Sequence, residues 1–177
     1  MPYDWKVSMA ISNLPEIKIR ILQSDDLTKF LEIRNSVSEM LHDHTTFTLE
    51  ECKIWFASTK PTYYLVDSSQ LGIIGYFRWK LVDNQATVAE IGLDLSPEFQ
   101  GRKWDKSIYA KFISEVLEPQ DITTVELRVL KANTRAQNLY KDMGLLVYEE
   151  TDLDYSMKAS VIEILKRLSA SNPIDDL

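Results

Sequence analysis

Alternation of apolar and polar positions begins at residues 17–22, IKIRIL, where Ile17, Ile19 and Ile21 share one side of an extended chain and predict a β-strand. Ser24, Asp25 and Asp26 then form an N-terminal cap, and a helix is predicted from there through about Met40. Thr48 and Glu51 have the Thr-x-x-Glu spacing of a capping box. Behind them Leu49, Cys52, Trp55 and Phe56 recur at three- and four-residue intervals, which predicts an amphipathic helix. Segments 62–66, 71–82 and 86–95 are rich in β-branched and aromatic residues and predict three successive antiparallel strands, with Asp83 and Asn84 as the turn between the last two. A helix over 106–117, a strand over 123–129 and a helix from Asn133 to Met143, stopped by Gly144, come next. A strand pair within 145–158 and a short helix over 161–168, with Val161, Leu165 and Leu168 on one face, precede a polar end. This order predicts an α/β (α+β) sandwich with a mainly antiparallel sheet and one strand–helix–strand unit at its centre. The expected division is an N-terminal extension over 1–16, one domain over 17–158, and a C-terminal helix and polar tail over 159–177.

A chain of 177 residues, 45% of them hydrophobic, supports one well-buried core. The net charge of −7 argues against a nucleic-acid or anionic-membrane surface, because those partners are bound through excess Lys and Arg. No run of 18 apolar residues occurs and the start has no signal-peptide core, so a cytoplasmic protein is expected. A single cysteine, Cys52, leaves no internal disulfide, and it is expected to be a half-buried structural thiol. His42 and His44 flank Asp43 without a further ligand cluster, so no metal is expected.

The loop 96–105, SPEFQGRKWD, joins a strand end to a helix start, where free N–H groups and the positive end of the helix dipole can hold a phosphate. Such loops usually use glycine for close backbone approach or positive φ. Here Arg102, Lys103, Trp104 and Asp105 fill the centre.

Three segments carry a resemblance. AEIGLDLSPEFQGRKWD (89–105) is similar to a strand, loop and helix pattern with an acidic strand residue, a proline and a Gln/Arg-x-x-Gly-x-Gly/Ala loop. NTRAQNLYKDMGL (133–145) matches an Asn-x-x-Ala-x-x-Leu-Tyr-x-x-x-Gly helix nearly letter for letter. EIRNSVSEML with FTLEECKIWF and YYLV resembles members that acetylate nucleotide-linked amino sugars or protein N-termini. Together they resemble the GCN5-related N-acetyltransferase (GNAT) superfamily over about residues 17–158. The departure lies in the loop: Gln100 matches, but Lys103 and Asp105 stand where two small residues belong. If both take positive φ, each costs about 1–2 kcal/mol. Asp105 would also repel a pyrophosphate, against attraction from Arg102, Lys103 and Lys106.

The resemblance implies acetyl-CoA as co-substrate, with its pantetheine arm along Leu93, Asp94 and Leu95. Its pyrophosphate would lie at Gly101, Arg102, Lys103, Trp104, Asp105 and Lys106, and Asn133 would contact the coenzyme. Acetyl transfer to an amine needs a base, because an alkyl amine is protonated at neutral pH. Glu90, inside an apolar strand at the acidic position many relatives use, is the best candidate; a solvated carboxylate on a sheet face is the plainer alternative. Asp94 shares its face by alternation and is expected as a surface charge. Strand amides near residues 93–95 would stabilise the charge on the thioester oxygen. Tyr140, seven residues after Asn133 on one helical face, is the candidate acid for the departing thiolate, against a core tyrosine packed beside Leu139. Asn133 already has a structural reason as a helix N-cap. The segment around His42 would line the acceptor site.

The resulting expectation is an N-acetyltransferase acting on a small-molecule primary amine, with a nucleotide-linked amino sugar favoured. A non-catalytic binding or regulatory protein of the same fold, or an acyltransferase with another donor, stays open, as does a homodimer.

Overall fold

The computed structural model describes residues 14–82 and 84–170. Most of the N-terminal extension, Asp83 of the expected turn and the polar tail 171–177 therefore lie outside the described residues. Strand β1 (Ile17–Ile21) leads through one 3-10 turn, Ser24–Asp26, into α1 (Leu27–Ser36). Helix α2 (Leu49–Thr59) precedes β2 (Tyr64–Ser68), β3 (Gly72–Val82) and β4 (Gln85–Leu95). Then come α3 (Asp105–Phe112), β5 (Thr124–Leu130), α4 (Thr134–Asp142), β6 (Leu146–Glu150), β7 (Asp154–Ser160) and α5 (Val161–Ala170). Among the described residues seven strands form a sheet in the order β1-β2-β3-β4-β5-β7-β6. β4 and β5 pair parallel around the α3 crossover, while the β1–β2, β2–β3, β5–β7 and β6–β7 ladders are antiparallel. This is the mixed, mainly antiparallel α/β domain that the hydrophobic pattern predicts.

Two expected helices are interrupted. The one over 24–40 breaks at Val37 (φ −108°, ψ 8°) and ends in a 3-10 turn, Ser38–Met40. Asn35 explains the break: its side-chain amide donates to the Phe47 carbonyl (2.8 Å) and its oxygen accepts from the Phe47 N–H (3.1 Å), which folds the chain back. The one over 106–117 is α-helical only to Phe112, widens to a π-helix over Ile113–Leu117 and closes as a 3-10 turn. Pro119 has no N–H to continue the ladder, and the N–H of Ile122 closes on the Leu117 carbonyl instead (3.2 Å).

Contacts within the fold fall into two compact units, one from 15–80 and 92–102, the other chiefly from 81–91 and 103–170. In the first, Leu27, Phe30, Leu31 and Ile33 of α1 pack with Cys52 of α2, Leu65 of β2 and Tyr76 of β3. Phe30 is the hub, stacked on Trp55 (5.7 Å) and edge-on to Tyr76 (4.7 Å); burying a ring of this size contributes about 2–3 kcal/mol. Cys52 is 4% exposed, fully buried rather than half-buried, and burial pushes its thiol up. In the second, Ile108, Phe112 and Ile113, then Val125 and Leu127 of β5, Met157 of β7 and Ile164 of α5 are buried.

Candidate active site

β4 holds the candidate positions Glu90, Leu93, Asp94 and Leu95, and alternation sends Glu90, Gly92 and Asp94 to one face and Ile91, Leu93 and Leu95 to the other. Its parallel ladder with β5 comprises Val88–Glu90 against Thr124–Glu126, and β4 then runs on to Leu95. The 91–95 stretch of its edge is outside that ladder, so peptide groups there can serve a ligand. Glu90 is half-buried and lies in register with Glu126, whose carboxylate accepts from the Tyr148 hydroxyl at 3.1 Å.

Asp94 is not the surface charge that alternation suggests. It is 9% exposed and paired with Arg78 of β3, which donates from Nε at 2.9 Å and from Nη2 at 3.5 Å. An unpaired carboxylate at this depth would be costly, and the guanidinium across the strand removes that cost. Burial opposes the charge on Arg78, yet Asp94, with smaller help from Tyr76 and Tyr63, offsets it and the guanidinium pKa is raised. Gly92 makes room: a Cβ there would stand 2.6 Å from Arg78 Nη2. Arg78 was not among the sequence candidates. Its signals were a cation inside the apolar run GYFRWK and a glycine inside the strand two residues before an aspartate.

The loop after β4 begins with Gln100, whose side-chain amide donates to the Leu95 carbonyl at 2.9 Å and so ties the loop to the strand end. Gly101 takes φ 76° with open space where a Cβ would project, and Lys103 takes φ 62°. Lys103 therefore occupies the left-handed geometry expected of a glycine. Asp105 does not: it is the first residue of α3, so the expectation of two left-handed non-glycine residues holds for one. Its carboxylate is 3.4 Å from Arg135 Nη2, a partner that draws off part of its charge. The basic side chains diverge as well. Arg102 donates from Nε to the Glu98 carbonyl (3.1 Å) and lies over the Phe99 ring, while Lys106 pairs with Asp142 at 3.2 Å. Trp104 is buried at 6%.

Asn133 caps α4, its side-chain oxygen accepting from the Ala136 N–H at 3.1 Å. Gln137, buried at 8%, holds the preceding turn through the Leu130 and Lys131 carbonyls. Gly144 at φ 93° ends the helix, and Leu145 N–H closes on the Tyr140 carbonyl. Tyr140 is 9% exposed, with its hydroxyl 3.4 Å from that of Tyr109 on α3. It is thus a core residue that keeps a polar head among polar company.

In the first unit, Arg34 donates to the Asp43 and Thr45 carbonyls and lies over Phe47, so α1 holds the segment that contains His42 and His44. Among the described residues no three His, Cys, Asp or Glu side chains gather to hold a metal ion, and no helix is long and apolar enough to cross a membrane.

The family description "Acetyltransferase (GNAT) domain" matches residues 16–146. A search of curated proteins gave no match. Among solved structures, a spermidine N-acetyltransferase of Vibrio cholerae is similar at 18% identity and TM-score 0.68, over 85% of this chain and 97% of that one. A putative acetyltransferase of Salmonella typhimurium, solved with acetyl-CoA, gives 14% and 0.66 over 82% and 94%. An N-acetyltransferase of Staphylococcus aureus gives 13% and 0.67 over 82% and 99%.

Proposed function

Because the chain belongs to the acetyltransferase (GNAT) domain family, which uses acetyl-CoA, we propose that it moves an acetyl group from acetyl-CoA to a primary amine. The observation that carries this is the β4 edge from Ile91 to Leu95 running into a loop whose Gly101 and Lys103 both take left-handed geometry before the α3 N-terminus. Open space at Gly101 suits a close phosphate approach.

When bound, acetyl-CoA supplies the activated acetyl thioester. Peptide N–H groups at residues 93–95 hold the pantetheine arm and stabilise negative charge at the carbonyl oxygen. Glu90 accepts the proton of the incoming ammonium, directly or through a water. Tyr140 donates its hydroxyl proton to the sulfur that leaves, and the second proton shed by the nitrogen as the amide forms makes good that loss. Asn133, its oxygen committed to the helix cap, has its amide N–H groups for the coenzyme. The loop 101–106 receives the pyrophosphate, with Lys103 the cation best placed because Arg102 and Lys106 are engaged elsewhere. A nucleotide-linked amino sugar is one acceptor in keeping with this reading.

Titration with acetyl-CoA, followed by thermal unfolding, tests the proposal. A ligand at 100 times its Kd adds about 2.7 kcal/mol of stability. Stabilisation together with thiol release in the presence of an amine is the expected result. No stabilisation at millimolar acetyl-CoA would leave a non-catalytic member of the fold.

A further inference from the structure

The Arg78–Asp94 pair is built asymmetrically. Asp94 is sealed at 9% exposure, whereas 43% of the Arg78 side chain is open to solvent. Asp94 occupies one edge of the guanidinium, through Nε and Nη2, and Nη1 makes no hydrogen bond among the described residues. A carboxylate that braces one edge fixes the plane of the fork and leaves its other donors aimed outward. The seat of the fork is kept clear by Gly92, whose missing Cβ would otherwise collide with it. A second donor waits beside it. Tyr76, two residues before Arg78 on the same face of β3, is 1% exposed; among the described residues its buried hydroxyl makes no hydrogen bond of ordinary length, and the Asp94 carboxylate beside Arg78 is the acceptor it leans toward. Buried donors are rarely left so, and an acceptor oxygen arriving from outside the chain would relieve this one. The ring of Tyr63, stacked on Tyr76 at 6.2 Å, walls the place on the aromatic side.

We infer that Arg78, braced by Asp94 over Gly92 and joined by the Tyr76 hydroxyl, is an anchor for an oxyanion on the acceptor, so that the amine acetylated here carries a carboxylate or phosphate. The inference rests on the acetyl-transfer reading for the amine, but the anchor can be tested without turnover. Asp94 is itself a β4 residue in the 93–95 stretch, so an acceptor held at Arg78 has its anion beside the backbone proposed to receive the acetyl group. A polyamine, which offers only cations, finds no partner at this anchor.

The test is calorimetry without acetyl-CoA, using matched probes: L-phenylalanine beside phenethylamine for a carboxylate, glucosamine-6-phosphate beside glucosamine for a phosphate, and spermidine as a polycation. The anionic member of one pair is expected to bind at least about tenfold more tightly than its counterpart and than spermidine. Which pair shows the preference identifies the oxyanion. Arg78→Gln should erase it. Gly92→Ala, which keeps the arginine but displaces the fork, should weaken it by about tenfold or more in a chain whose circular dichroism is unchanged. Equal binding within both pairs, no saturable binding of either anionic probe, or a preference that survives both substitutions overturns the anchor. A separate acetyl-CoA titration keeps the two ideas apart: donor binding without anion preference sinks the anchor alone, and anion preference without donor binding sinks the transferase reading alone.

Discussion

The hydroxyls of Tyr109 and Tyr140 lie 3.4 Å apart with their rings edge to face at 6.2 Å, both side chains buried. If Tyr140 gives up a proton to the leaving sulfur, the Tyr109 hydroxyl is a neighbour that can return one. Tyr140→Phe is therefore expected to lower kcat by about 10²-fold with little change in acetyl-CoA affinity. Tyr109→Phe should cost less than about tenfold, since it leaves the donating hydroxyl in place. Steady-state kinetics on both variants decides; equal losses would mean that the pair serves packing and not proton transfer.

Glu90 faces the same kind of test through pH. If it takes the ammonium proton, Glu90→Gln lowers kcat/KM and changes its dependence on pH. An unchanged profile in the variant removes Glu90 from the base role.

Lys103 and Asp105 were expected to share one defect, and the structure separates them. Lys103 at φ 62° bears left-handed strain, whereas Asp105 is helical and paired with Arg135. Lys103→Gly should raise stability by about 0.5–1 kcal/mol, the relief of strain less the entropy that glycine adds to the unfolded chain. Asp105→Gly should lower it by removing an acid from the first turn and weakening the helix. Lys103→Ala should weaken acetyl-CoA binding and flatten its salt dependence. Urea midpoints of opposite sign for the two glycine variants are the result that bears this out; shifts of the same sign would refute it.

What could be read in the chain was what is local. Thr48 and Glu51 form their reciprocal capping box, with Glu51 Oε2 accepting from Thr48 N–H at 2.7 Å, because both partners fall within one helical turn. Asn133 and Gly144 bound α4 for the same reason. Asp94 was misjudged because its partner, Arg78, lies 16 residues away on another strand, and alternation gives a side chain's face without saying what covers it. The early end of α1 escaped because Asn35 finds Phe47 only after the chain has turned back. Lys103 and Asp105 differ in backbone angle, which residue type alone does not reveal.

That Asn35 contact carries its own prediction. Two hydrogen bonds to the backbone N–H and C=O of one residue, Phe47, partly buried, fasten the segment before α2 to α1. Asn35→Ala is expected to cost about 1–3 kcal/mol, since both Phe47 groups lose their partner. Thr48→Ala, one residue along, removes only a cap and should cost about 1 kcal/mol. Equilibrium denaturation ranks them, and a smaller effect at Asn35 than at Thr48 would show that the clamp is incidental.

Arg20 holds Asp26 in a two-pronged contact, Nη1 to Oδ2 at 2.8 Å and Nη2 to Oδ1 at 2.9 Å, and its Nε reaches Asp67 at 2.7 Å. These bonds from Arg20, against some loss of hydration and with help from the Gln23 N–H, hold the Asp26 carboxyl below its ordinary value. The unfolded chain, whose aspartates titrate near about 3.9, then binds more protons than the folded one in the window between the two values, so stability rises with pH there. The contribution is complete above about pH 5 and is lost as the pH falls through the folded value. Asp26→Asn should therefore be less stable than the parent at pH 7, and the gap should narrow as both are taken toward pH 3. The measurement is urea unfolding of the two proteins at half-unit steps of pH. Because Arg20 stays about one-third exposed, the gap should also shrink in high salt at neutral pH. A gap that is constant from neutral to acid pH would mean that Asp26 acts through its hydrogen bonds to the backbone turn and not through its charge.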